Sequence, residues 1–106
     1  MDYDKYNTLR KGLLEFLILG IVSSGRVYAA DMMQRLSNTD FSTQEGTLYP
    51  LLSKMRREGL VDYEWQESDA GPPRKYYRLT TRGRAHLGDL TDYWKAINAT
   101  IAQLGR

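Results

Sequence analysis

The last quarter of the chain sets the strongest constraint on its fold. Leu87, Leu90, Trp94, Ile97, Ile101 and Leu104 recur at alternating spacings of three and four residues. That is the two-per-heptad ridge of a helix that lies along another helix. A chain of 106 residues builds one hydrophobic core. The ridge must be covered either by that core or by a second copy of the chain. A mixed solution is expected, with Leu87 and Leu90 turned partly inward and the whole ridge serving a two-fold dimer interface.

The elements before it read as three helices and a hairpin. Residues 1–8 are polar and aperiodic and are expected to form a loose arm. From Leu9 to Ser24 apolar residues occupy nearly the whole circumference, which predicts a central helix, with Gly25 as its left-handed stop. Residues 27–37 predict a second, short helix with a stripe of Tyr28, Met32, Leu36 and Met33. Ser42 and Glu45 have the spacing of a capping box, and Leu48, Leu51, Leu52 and Met55 follow on one face of a third helix that Gly59 ends. Pro50 lies within it, but the residue four back is Gly46, which has no side chain to crowd its ring.

Val61, Tyr63 and Trp65 then alternate with Asp62, Glu64 and Gln66, the period of a half-buried strand. Residues 68–73 (SDAGPP) are turn formers and predict a mobile tip, and Arg74–Thr80 returns as the second strand. Thr80 or Thr81 caps the last helix. Three short helices closed by a hairpin make a winged helix-turn-helix. The expected class is therefore mainly α with a small β-hairpin. Residues 9–80 form the winged domain and 81–106 a C-terminal dimerisation helix.

Charge distribution points to the partner. The net charge is only +2, yet residues 74–84 carry Arg74, Lys75, Arg78, Arg82 and Arg84 with no acid. Such a patch suits a polyanion. In a winged helix the third helix enters the major groove of double-stranded DNA. Its face opposite the apolar stripe carries Thr43, Gly46, Thr47, Tyr49, Pro50, Ser53, Lys54 and Arg57. Thr43, Gln44 and Thr47 in its first turns are placed to read base edges, and Lys54 and Arg57 suit phosphates. Arg74 and Lys75, leaving the wing turn, can reach an adjacent minor groove or its phosphates. Trp94, in mid-ridge, is either a packed interface anchor or half of a pair of indoles that sandwiches a small flat aromatic effector.

Other classes find no support. The chain has no cysteine, which excludes disulfides, thiolate metal sites and a cysteine nucleophile. His86 is the single histidine, and neither a nucleophile motif nor a phosphate-cradling glycine loop is present. An enzyme, a cofactor and a metal are therefore not expected. The apolar run Leu13–Val22 is too short to span a bilayer, so no membrane partner is expected, and the chain reads as cytoplasmic.

With EGTLYPLLSKMRREGLV (45–61) and GPPRKYYRLTTRGRAHL (71–87) followed by a helix bearing Trp94, the chain resembles the PadR family of bacterial transcription regulators from about Leu9 to Leu90. It departs at Val27-Tyr28, where the family commonly has Gly-Tyr, which implies a local change at the start of the second helix. The resemblance implies a homodimeric DNA-binding regulator, usually a repressor, of the short form with one terminal helix. It places Thr47, Tyr49 and Lys54 on the DNA-facing helix and Arg74 and Lys75 on the wing. Some short members bind flat hydrophobic compounds between the terminal helices beside a tryptophan, where Trp94 stands here. The rival from another class is a winged-helix adaptor that docks proteins and does not read DNA.

Overall fold

The computed structural model describes residues 6–105. Its elements run α1 (Asn7–Val22), α2 (Ala29–Leu36), α3 (Glu45–Arg57), β1 (Val61–Ser68), β2 (Gly71–Leu79) and α4 (Thr81–Gln103). This is the winged helix-turn-helix with a long C-terminal helix that the apolar periodicities predict. Residues 1–5 of the expected arm, and Arg106, lie outside the described residues, whereas Asn7 and Thr8 already belong to α1.

The core lies where the three short helices meet the root of the hairpin. Leu14, Ile18, Leu19 and Val22 of α1, Met32 and Leu36 of α2, Leu48, Leu52 and Met55 of α3, and Val61, Tyr77 and Leu79 of the strands are all buried. Burying each large apolar side chain contributes about 1.5–3 kcal/mol. Only one side of α1 is covered this way. Leu13, Phe16 and Leu17 are half-buried and Leu9 is 62% exposed. The apolar circumference of α1 is thus larger than the chain's own cover for it.

Several boundaries differ from expectation, each for a local reason. Helix α1 ends at Val22 rather than Ser24. The hydroxyls of Ser23 and Ser24 donate to the carbonyls of Gly20 and Ile21 at 2.6 and 2.7 Å, and Gly25, at φ 141°, turns in the loop beyond. Residue Val27 is not helical. It exchanges two backbone hydrogen bonds with Tyr77, at 3.1 and 2.8 Å, and so lengthens the hairpin root by one bridge. Helix α2 therefore starts at Ala29, with the Asp31 carboxylate accepting the Tyr28 N–H at 3.2 Å.

The Ser42–Glu45 capping box does not form. Gln44 is the N-cap of α3, in extended conformation, and Ser42 and Thr43 belong to the preceding turn. Pro50 sits inside α3 without ending it. The helix stops at Gly59 as expected: φ is 77°, and the Gly59 and Leu60 N–H groups bond the Arg56 and Met55 carbonyls at 3.0 Å, a Schellman closure.

The hairpin is longer than its turn-rich sequence implies. Strand β2 begins at Gly71, so residues 69–70 alone make the tip. The register pairs Trp65 with Lys75 and Gln66 with Arg74, then jumps to Ser68 opposite Gly71. Pro72 and Pro73 thus fall on a bulge, where a missing N–H removes no ladder bond. Thr80 caps α4: its hydroxyl oxygen accepts the Gly83 N–H at 2.9 Å, while its O–H donates to the Gly59 carbonyl at 2.6 Å. One side chain thereby joins the end of α3 to the start of α4.

Along α4 the ridge divides as expected at its base. Leu87 and Leu90 pack against the core. Beyond them Trp94 is 41%, Ile101 41% and Leu104 78% exposed, with Ile97 half-buried. Trp94 closes one side of an apolar hollow of about 200 Å³ whose other walls are Leu13, Phe16, Leu17 and Phe41.

Candidate nucleic-acid interface

The third helix and the wing converge on one surface. Tyr49 of α3, Tyr28 and Ala29 at the start of α2, and Trp65, Pro73, Arg74 and Lys75 of the wing line a hollow of about 430 Å³. A second hollow, of about 550 Å³, opens beside it between the later turns of α3 (Ser53, Arg56, Arg57) and the wing (Tyr63, Lys75). The first has no carboxylate among its lining residues; the second has Asp62, paired with Arg56 at 3.5 Å.

The wing cations are held on aromatic rings. The Lys75 ammonium stands 4.4 Å from the centre of the Tyr63 ring and 5.3 Å from that of Trp65. Arg74 lies over Tyr28 at 5.1 Å, and Arg56 over Tyr63 at 4.5 Å. Such contacts order a long side chain without neutralising its charge. The register explains the two Lys75 contacts, because Lys75 is opposite Trp65 on the same face of the ribbon as Tyr63. The wing root is fixed by ion pairs instead. Glu64 accepts from Arg26 and faces Arg78 at 3.6 Å, and the Arg26 bond, aided by both charges, holds its carboxyl below the usual range. Asp62 is lowered as well, chiefly by the Tyr63 backbone N–H and then by Arg56.

The predicted site residues divide accordingly. Tyr49, Arg74 and Lys75 share the first hollow, and Arg57 and Lys75 the second. Gln44 and Thr47 are exposed at the start of α3. Thr43 precedes the helix, half-buried, with its hydroxyl donating to the Phe41 carbonyl at 2.8 Å, so it does not occupy the first turn as expected. The Lys54 ammonium is shared by Glu15 at 3.2 Å and Glu58 at 3.5 Å, and its pKa is raised mainly by the Glu15 hydrogen bond. It faces α1 rather than the wing. Arg57 forms no ion pair among the described residues.

Three contributors escaped the sequence reading. Helical spacing puts Tyr28 in the α2 core stripe, yet it is half-buried against the wing. Arg56 lies a quarter-turn from the face opposite the apolar stripe. Trp65 shares the strand face of buried Val61 and is nonetheless 60% exposed. The alternation of Tyr63 and Trp65 across from Lys75 signals the Lys75 contacts once the hairpin register is known.

Comparison with known proteins bears on the family and the fold. Residues 18–89 match the transcriptional regulator PadR-like family. A PadR-like transcription factor from Bacteroides fragilis superposes with a TM-score of 0.85 at 41% identity, covering 96% of this chain and 99% of that one. A PadR-like transcriptional regulator from Bacillus cereus gives 0.81 at 35% identity, over 92% and 95% of the two chains. The transcriptional regulator Rv3488 of Mycobacterium tuberculosis is 37% identical over 70 residues, which span 66% of this chain and 64% of that protein. Among the described residues no helix is long and apolar enough to cross a membrane.

Proposed function

As a member of the transcriptional regulator PadR-like family this chain is a DNA-binding transcriptional regulator, and we propose that it acts as a homodimeric repressor covering a palindromic promoter operator. One observation carries the DNA contact in this reading: Tyr49 on the exposed face of α3 and the wing cations Arg74 and Lys75 border the same hollow, with no carboxylate in its lining. In this reading Gln44 and Thr47 touch base edges, Tyr49 packs on the sugar–phosphate backbone, and Arg57, Arg74 and Lys75 take phosphates. Thr43 shapes the turn that delivers Gln44. Lys54 braces α3 against Glu15. The dimer forms along the uncovered ridge of α4, where Trp94, Ile101 and Leu104 remain exposed. Two copies then present two reading helices to successive major grooves.

The test is a binding titration across salt concentration with duplex DNA from upstream of the chain's own gene. Tight binding at low salt is expected, with a log–log slope that Arg57→Ala reduces by about one ion per lost contact. Absence of binding at low salt would favour the protein-docking adaptor instead.

A small flat aromatic effector is proposed to enter between the paired α4 helices beside Trp94. The hollow bounded by Leu13, Phe16, Leu17, Phe41 and Trp94 supports this, since its walls are apolar and aromatic. Such a ligand relieves repression only by binding one spacing of the two reading helices more tightly than another. With Trp65 replaced by phenylalanine to remove its emission, planar aromatic compounds are expected to quench Trp94 fluorescence. Unchanged emission across a panel of them removes the effector from the account.

A further inference from the structure

Tyr28 and Tyr76 are 48 residues apart in sequence and touch in the fold. Their ring centres are 4.1 Å apart at 43°, and the Tyr76 hydroxyl donates to that of Tyr28. Tyr28 precedes α2 and Tyr76 lies in β2, so the contact joins the body of the domain to the wing. Arg74 follows on the same face of β2, two residues nearer the tip, and its guanidinium lies 5.1 Å from the centre of the Tyr28 ring. Asp31, the acidic residue of the first turn of α2, accepts the Tyr28 backbone N–H, and Arg74 forms no ion pair among the described residues.

We propose that the Tyr28–Tyr76 hydroxyl pair is a latch that positions Arg74 as a ligand for one backbone phosphate of bound duplex DNA. The proposal rests on the DNA-binding reading above and adds positioning residues to it. An isolated two-stranded ribbon is marginally stable, and among the described residues the strands of this one are bonded to the body through the backbone at Val27 and Tyr77 alone. Beyond that bridge side chains tie the wing to the body, among them the Arg26–Glu64 and Arg56–Asp62 ion pairs and, on the Arg74 face, the Tyr28–Tyr76 contact. The hydroxyl pair adds a tie one residue farther out, and the Tyr28 ring that receives it also carries Arg74. A guanidinium loses much rotamer freedom on binding an anion, and ordering it beforehand reduces that loss. The Tyr76 pKa is raised, first by its hydrogen bond to Tyr28 and then by desolvation.

The experiment is a double-mutant cycle with Tyr76→Phe and Arg74→Ala, which keeps the aromatic ring while removing the hydroxyl. Binding to one mixed-sequence 20-base-pair duplex is measured from about 50 to 200 mM salt. Arg74→Ala is expected to weaken binding by roughly tenfold and to lower the salt slope by about one per contact. Tyr76→Phe alone is expected to reproduce a large part of both effects, and to add nothing in the Arg74→Ala background. Independent losses that add in the double variant overturn the latch, as does a Tyr76→Phe protein with wild-type affinity and slope. A second readout needs no DNA: the ¹⁵N heteronuclear NOE of the Arg74 Nε–H in the free protein is expected to fall in Tyr76→Phe. An unchanged NOE overturns the latch. A wild-type chain that fails to bind the duplex at 50 mM salt overturns the phosphate role together with the DNA-binding reading, and the NOE then still decides whether the hydroxyl pair orders Arg74.

Discussion

Replacing Ile97 and Ile101 together by lysine is expected to leave each chain folded and to separate the dimer. The two positions lie on α4 beyond Leu90, the last ridge residue that packs on the chain's own core. Ile101 is 41% exposed and Ile97 half-buried, so neither holds up the winged domain. In a two-fold pair each lysine would meet an apolar counterpart or a second lysine, and a like-charged, desolvated seam is strongly unfavourable. Sedimentation at micromolar concentration should therefore report half the wild-type mass. Operator affinity should fall by about 10² or more, because the second half-site no longer binds as part of the same particle. The melting temperature at fixed low concentration should stay close to that of the winged domain alone. A variant that still sediments as a dimer would place the interface elsewhere.

A second large effect is expected at Gly83, the buried residue of α4. Its N–H is the one that Thr80 caps, and a Cβ built on it would lie 1.9 Å from the Leu60 carbonyl oxygen and 2.9 Å from the carbonyl carbon. Those atoms are backbone, in the closure that ends α3, and cannot swing aside. Gly83→Ala must push the start of α4 away from the α3–β1 corner, with loss of the Thr80 bonds. A destabilisation of about 3 kcal/mol or more is expected, read as a drop in melting temperature of more than roughly 10 °C. Gly88 is the control within the same helix. Nothing lies within 4 Å of its built Cβ, and Gly88→Ala is expected to raise stability by up to about 1 kcal/mol through helix propensity. If both substitutions behave alike, the close approach at Gly83 is not what seats α4.

The apolar periodicities carried most of the fold. The stripe Leu48, Leu51, Leu52, Met55 located α3, the alternation from Val61 located β1, and the heptad ridge located α4, because burial is what those spacings encode. What failed was local polar chemistry. Ser42 and Glu45 have capping-box spacing, yet the turn before α3 continues through Thr43, whose hydroxyl bonds the Phe41 carbonyl, and Gln44 becomes the cap. The turn formers of residues 68–73 concealed a longer hairpin, since a bulge accommodates both prolines. The site was legible only in part for a related reason. Charge along the sequence marked Arg74 and Lys75, but Lys54 carries the same charge and is drawn to Glu15, 39 residues earlier. Only the packing of α3 on α1 brings that carboxylate near. Likewise Tyr28 reads as core by helical spacing, and it took the Val27–Tyr77 bridge to turn it toward the wing.

In the proposed dimer two copies of this chain, joined along α4, set two α3 helices against one duplex. Hydroxyl-radical footprinting of the wild-type protein on its own upstream DNA tests this arrangement most directly. Two protected blocks of equal strength are expected, related by a two-fold axis and centred about one helical turn, or a whole number of turns, apart. A single protected block at saturating protein, or blocks without two-fold symmetry, would contradict it.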